Sequence, residues 1–198
     1  MNPGGEPTDQ ALIARAVRGE QPAFGVLMTR HKGWLYRFVR RYVRDAEETY
    51  DVVQESFASA WMGLARYDPE RPFDVWLRRI ALNKCRDRAR KAAVRRVLFG
   101  VARSEDAYPE VADPGRSPDE IAAAARALAR LEKAISALPR GLKEPLILTA
   151  LEGLSHKEAG EVLGLNAKAV ETRVYRARKQ LAETLERQDL ADLASADR

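Results

Sequence analysis

Apolar residues recur along this chain at spacings of three and four, the pattern of helices that bury one face. No convincing run alternates apolar and polar residues. No Asn-Gly or Asp-Gly pair separates two apolar runs, so neither strands nor hairpins are expected. The spacing predicts a short helix over 9–19, ended by Gly19. A longer one follows, with Phe24, Leu27, Met28, Leu35 and Phe38 as its stripe, running to about Val43. A third spans about Glu47–Ala65. It halts before the loop Tyr67–Pro72, where Pro69 and Pro72 lack the N–H a helix needs. A fourth covers about Phe73–Val97.

Periodicity then lapses. Residues 98–118 mix glycine, proline, serine and acids, the composition of a flexible linker. Beyond it Ser117 and Glu120 have capping-box spacing. Helices follow over about 118–137, 142–152, 155–163 and 167–187. Residues 1–8 read as a disordered tail and 188–198 as a C-terminal tail. The expected fold is all-α: two small helical domains, 9–97 and 119–187, joined by a flexible linker.

The last two helices carry a specific signal. Ser155 and Glu158 form a second capping-box pair. Gly164 supplies the left-handed residue of a tight turn, and Asn166 is a good N-cap for the next helix. Two short helices joined by such a turn fit a helix-turn-helix. At 100° per residue Val170, Val174, Ala177 and Leu181 share one stripe. Lys168, Thr172, Tyr175, Arg176 and Lys179 lie opposite, with Arg173 and Arg178 on the flanks. A helix entering the major groove needs this division between anchor and contact faces. A solvated basic helix in a bundle is the plainer alternative.

The fourth helix is also divided. Phe73, Leu77, Ile80, Ala81 and Cys85 form its apolar stripe, while Arg79, Asn83, Arg86 and Arg90 cluster opposite. Lys84, Arg88, Lys91, Arg95 and Arg96 add charge, and Asp87 is the only acid between Arg78 and Arg96. Like charges this dense repel unless they meet an anion, and a nucleic-acid backbone is the obvious one. A solvated surface helix and a membrane-surface helix remain open. The preceding loop carries Arg66, Tyr67, Asp68 and Arg71, residue types that can grip an extruded base by stacking and hydrogen bonds. A plain interhelical turn would also explain it.

The net charge of +5 over 198 residues agrees with a polyanionic partner without proving one. No run of about 18 apolar residues occurs, so no membrane insertion is expected. The N-terminus lacks the apolar segment of a signal peptide. One cysteine and two histidines cannot make a zinc site of the usual ligand count, so no metal is expected. No Walker-type glycine loop, nucleophile elbow or metalloprotease motif appears. The expectation is therefore no catalytic residue, no cofactor and no small-molecule substrate. Cys85, on an apolar stripe, reads as a small core filler.

Two stretches resemble a known family. DVVQESFASAW followed by RYDPERPFDVWLRRIALNKCRDRAR is similar to the second conserved region of sigma-70-family factors. LSHKEAGEVLGLNAKAVETRVYRARKQL is similar to the fourth. Their order and the linker between them resemble the extracytoplasmic-function subfamily, over roughly residues 20–97 and 125–187. The resemblance implies a cytoplasmic initiation factor that directs core RNA polymerase to promoter DNA and is held by an anti-sigma factor, in some cases at the inner membrane. It implies that Asp51, Gln54, Glu55, Ala58 and Met62 bind the polymerase, on a helix whose inward stripe is Val53, Phe57, Ala60, Trp61 and Leu64. It implies that Arg66, Tyr67, Asp68, Arg71, Arg79, Asn83, Arg86 and Arg90 recognise and open the −10 element. Lys168, Glu171, Thr172, Arg173, Tyr175, Arg176 and Lys179 would then read the −35 element.

Two positions depart from the family pattern. Glu171 stands where a basic residue is common. It can accept from cytosine N4, with a salt bridge to Arg173 or Arg178 as the rival role. Ala159 stands where a larger aliphatic is usual. A helix-turn-helix regulator that acts without polymerase is the alternative function, and a membrane-surface or interaction protein is a third.

Overall fold

The computed structural model describes residues 6–43, 45–99 and 118–196, and every regular element among them is helical. The chain divides into two compact units at residue 106. The first holds α1 (Asp9–Val17), α2 (Gln21–Arg40), α3 (Ala46–Gly63), a 3-10 turn over Leu64–Arg66, and α4 (Phe73–Phe99). The second holds α5 (Pro118–Ala137), α6 (Arg140–Leu146), a π turn over Ile147–Leu151, α7 (His156–Leu163) and α8 (Ala167–Ala196).

Local chemistry sets the starts of α1 and α3. The Thr8 hydroxyl accepts the Ala11 N–H at 3.2 Å, and the Asp45 carboxylate accepts the Glu48 N–H at 2.7 Å, each satisfying an orphan donor of a first turn. The expected tail over 1–8 is therefore corrected for its described part. Thr8 caps α1, and Arg30 donates to the Pro7 carbonyl at 3.0 Å and to the Glu6 carboxylate at 3.3 Å. Residues 1–5 lie outside the described residues.

The core of this unit is built around α2, which packs against α1, α3 and α4. Phe24, Leu27, Leu35, Phe38 and Val39 of α2 are buried, together with Leu12, Ile13 and Ala16 of α1. The predicted stripe needs one change. Met28 is 38% exposed, and the buried position on that turn is His31, four residues from both Leu27 and Leu35. In α3 the expected stripe Val53, Phe57, Ala60 and Leu64 is buried, and Trp61 is half-buried against Phe24 with ring centroids 5.0 Å apart.

Thr49, Val52 and Ser56 join that core. The two hydroxyls are accommodated because each donates to a carbonyl four residues back, at 2.7 Å and 2.6 Å. On α4, Val75 and Leu82 are buried beside Phe73, Leu77, Ala81 and Cys85, while Ile80 is half-buried.

In the second unit, α6 begins at Arg140, directly after Pro139 at its N-cap. Pro145 lies inside it and offers no N–H to the carbonyl of Gly141. The chain continues as the wider π turn, an irregularity absent from the single helix expected over 142–152. Here the Thr149 hydroxyl donates to the Pro145 carbonyl at 2.9 Å. Glu144 is buried and accepts from Arg140 Nε at 2.8 Å. α8 stays helical to Ala196, past the expected end near 187, so most of the predicted C-terminal tail belongs to a helix. Of the expected linker, 98–99 end α4 and 118 opens α5. The remainder, with Ser117 of the first capping pair, lies outside the described residues.

α7 and α8 meet where Gly160 approaches the turn between them. A Cβ on Gly160 would stand 2.5 Å from the Leu165 carbonyl oxygen, and the Leu165 N–H donates to the Gly160 carbonyl at 2.8 Å. The obstacle is backbone, so it cannot swing aside. Gly160→Ala is expected to destabilise this unit by about 1–3 kcal/mol through overpacking. Thermal or urea unfolding of the full chain measures it, and a midpoint equal to that of the parent chain would contradict the contact.

Candidate functional site

The helix pair α7–α8 has the joints that the spacing predicts. The Ser155 hydroxyl accepts the Glu158 N–H at 3.2 Å, and the Glu158 carboxylate accepts the Ser155 N–H at 2.8 Å. Gly164 is left-handed, with φ 71° and ψ 37°. The Asn166 side chain accepts the Ala169 N–H at 2.8 Å. Val170, Val174, Ala177 and Leu181 are buried, and Ala159 is buried beneath them in α7.

The other side of α8 is open. Lys168, Glu171, Thr172, Tyr175, Arg176 and Lys179 are exposed, and Arg173 is half-buried. Tyr175 is 70% exposed, an aromatic ring the core does not use. The Thr172 hydroxyl donates to the Lys168 carbonyl at 2.9 Å. Glu171 pairs with Lys168 Nζ at 3.0 Å, so its ion-pair partner lies three residues earlier and is neither Arg173 nor Arg178. The hydrogen bond from the Lys168 ammonium holds the Glu171 carboxyl below the usual carboxylate range. At neutral pH Glu171 is therefore an ionised acceptor. His156 is exposed in the first turn of α7.

In the N-terminal unit the loop before α4 is organised by its own polar groups. Asp68 accepts the Glu70 N–H at 3.1 Å and Arg71 Nε at 3.2 Å. The Tyr67 hydroxyl donates to the Arg71 carbonyl. The Tyr67 ring sits between Phe73 and Trp76, with centroids at 5.8 Å and 5.1 Å. Burial is the main cause that pushes its phenol above the ordinary tyrosine value, so it remains a protonated donor. Arg66, Asp68 and Arg71 are exposed.

On α4, Arg79, Asn83 and Arg90 are exposed and Arg86 is half-buried, so the predicted cluster shares one side of the helix. It is partly tied up: Arg86 donates to the Asn83 side chain at 3.1 Å, and Arg90 pairs with Asp87.

Arg88 takes a different place from Arg79, Arg86 and Arg90. It follows the apolar stripe past Cys85 and faces α3, where its guanidinium lies 3.0 Å from Asp51, 3.7 Å from Glu48 and 3.8 Å from Glu55. It does not add to the outward basic face. Asp51, Gln54, Glu55, Ala58 and Met62 are all exposed, Met62 at 72%. They form one open surface of α3, with Arg88 bridging its acids.

Sequence reasoning missed a group beside the loop. A pocket of about 740 Å³ is bordered by Asp9, His31, Trp34, Tyr67, Phe73 and Arg78. Arg78 is buried, ion-paired with Asp74, and lies over the Trp34 ring at 4.3 Å from its centroid. The available signal was a histidine at a core-stripe position of α2, with an acid in the first turn of α1. Among the described residues no cluster of His, Cys, Asp or Glu could hold a metal ion, and no helix is long and apolar enough to cross a membrane.

Two family models match. Sigma-70 region 2 covers residues 27–104, and Sigma-70, region 4 covers residues 128–181. The chain is similar to the RNA polymerase sigma factor CnrH of Cupriavidus metallidurans, with 42% identity over 94% of this chain and 97% of the relative. It is 40% identical to the RNA polymerase sigma factor NccH of Alcaligenes xylosoxydans, over 90% and 95% of the two chains. Among solved structures, CnrH in complex with the cytosolic domain of CnrY aligns at a TM-score of 0.65 and 38% identity, covering 90% of this chain and 97% of that one. Capped helices in the fourth-region segment, a basic helix behind an aromatic loop in the second, and these matches agree: the chain belongs to the sigma-70 family, as a sigma factor of the extracytoplasmic-function type.

Proposed function

We propose that the chain divides transcription initiation between its two units, residues 9–97 for polymerase binding and −10 opening and 119–187 for −35 recognition. The observation that carries this reading is the α8 face. It sets Lys168, Thr172, Tyr175, Arg176 and Lys179 outward on a helix anchored by Val170, Val174 and Ala177, as major-groove reading requires. Arg173 flanks this face, and Glu171 reads a cytosine there, its carboxylate remaining ionised beside Lys168.

In the N-terminal unit, Asp51, Gln54, Glu55, Ala58 and Met62 bind the polymerase. Arg66, Tyr67, Asp68 and Arg71 trap an unstacked base. Arg79, Asn83, Arg86 and Arg90 hold the adjoining backbone. Opening costs about 1.4 kcal/mol per base step, and base trapping offsets part of that. Catalysis remains with the polymerase, and the protein works in the cytoplasm. CnrH is known in complex with the cytosolic domain of CnrY. By similarity, this chain is held by an anti-sigma factor that covers the same faces.

Run-off transcription tests the whole reading. The full chain with core polymerase is expected to start transcripts at defined promoters on fragmented genomic DNA. A regulator that acts without polymerase would bind DNA yet give no transcript and no co-purifying core. Glu171→Ala is expected to relax base preference at one −35 position in a promoter library, while Lys168→Ala keeps that preference and weakens binding evenly. Unchanged preferences in Glu171→Ala would remove the cytosine contact. Arg79→Ala is expected to reduce the slope of log affinity against log salt by roughly 0.7–0.9, the share of one phosphate contact, measured with holoenzyme and promoter DNA.

A further inference from the structure

His31 is buried in the N-terminal unit, and the division of labour proposed for this chain gives it no task. Its Nδ1 accepts the Trp34 indole N–H at 2.8 Å, and its Nε2 lies 2.7 Å from Asp9 Oδ2. An indole nitrogen only donates. Nδ1 therefore carries the lone pair, and Nε2 carries the proton that Asp9 accepts. The other Asp9 oxygen meets the Arg30 guanidinium. The His31 ring also packs edge-on to Phe73, the first residue of α4, with centroids 5.1 Å apart.

From Trp34 the contacts run to Arg78, stacked over the indole and paired with Asp74. Asp9, Arg30, His31, Trp34, Phe73, Asp74 and Arg78 all border the same pocket as Tyr67 and Arg71. A further tie joins α1 to the pocket's loop: the Gln10 amide donates to the Pro69 carbonyl at 3.4 Å. Asp9 and Gln10 precede residues 27–104, the extent of the region 2 match.

We propose that His31 is a positioning residue for the pocket that receives an unstacked −10 base. It fixes the Trp34–Arg78 stack through the indole hydrogen bond and is itself fixed by Asp9 of α1. The inference rests on the base-trapping reading of that pocket. Bases are held by stacking on aromatic rings and guanidinium planes, and a stack grips only if its planes are fixed before the base arrives. Without an acceptor at His31, the Trp34 N–H would be left unpaired where it now points inward. The indole would then turn to find a partner.

The test uses the full chain bound to core polymerase. The probe is the non-template strand of a promoter found by run-off, prepared as a series lacking one base at each −10 position. In the parent protein, loss of the pocketed base is expected to weaken binding by about tenfold, the worth of one stacked base. His31→Leu is expected to erase that penalty at that position. Penalties elsewhere and affinity for core polymerase should stay as they were. His31→Gln, whose amide offers both an acceptor and a donor, is expected to keep most of it.

If His31→Leu unfolds, His31→Phe replaces it, since this variant keeps a ring at the buried position and offers the indole N–H no acceptor. The same selective loss is expected. A penalty profile unchanged in His31→Leu, with or without a uniform loss of affinity, overturns the proposal and leaves His31 a packing residue. Tyr67→Ala separates the two readings. If it erases the penalty while His31→Leu does not, only the role of His31 fails. If neither does, or if the parent protein shows no position-specific penalty, the base-trapping reading fails as well.

Discussion

Burial of one side of α2 is the constraint on which the N-terminal unit depends. Phe24, Leu27, Leu35, Phe38 and Val39 must leave water together, and fully burying a side chain of this kind is worth about 1.5–3 kcal/mol. α1, α3 and α4 are the surfaces that cover them. A unit this small has no apolar face to spare. Once α4 commits Phe73, Leu77, Ala81, Leu82 and Cys85 to the core, Arg79, Asn83 and Arg90 are left on its solvent side. The basic surface of α4 is a consequence of this packing as much as of composition.

His31 and Arg88 show how the same packing treats polar residues at its edge. His31 occupies a core-stripe position because each ring nitrogen finds a partner, Trp34 on one side and Asp9 on the other. A buried polar group tolerates its place only when so satisfied. Arg88 lies further along the α4 stripe, where the apolar contact with α3 gives way to charge. There Glu48, Asp51 and Glu55 supply the counter-charges. The acids proposed for polymerase binding are thus held from beneath by a cation of the neighbouring helix. Each such exposed pair is worth about 0–1 kcal/mol, so the cluster organises a surface more than it stabilises the fold.

The C-terminal unit solves a different problem, bringing two helices close together across a tight turn. Gly164 turns the chain by adopting a left-handed conformation, and Gly160 lets the turn pass over α7 without a Cβ in its way. The exposed face of α8 inherits its direction from those two residues. Tyr175 and Arg176 can address a partner because Val174 and Ala177 are pinned beside them.

By itself the sequence determined the all-α class, the helix-turn-helix, and the outward and inward faces of α3, α4 and α8. Those features depend on caps, glycines and a period of 3.6, all local in the chain. Tertiary structure alone decided the rest. It placed Arg88 against the acids of α3, Met28 outside and His31 inside, and Asp9 of α1 beside a loop sixty residues away. It also decided that Pro145 is absorbed as a π turn and that α8 runs on to Ala196. These outcomes turn on which side chains meet across helices. Periodicity specifies the face a residue occupies, but not the partner that face will find.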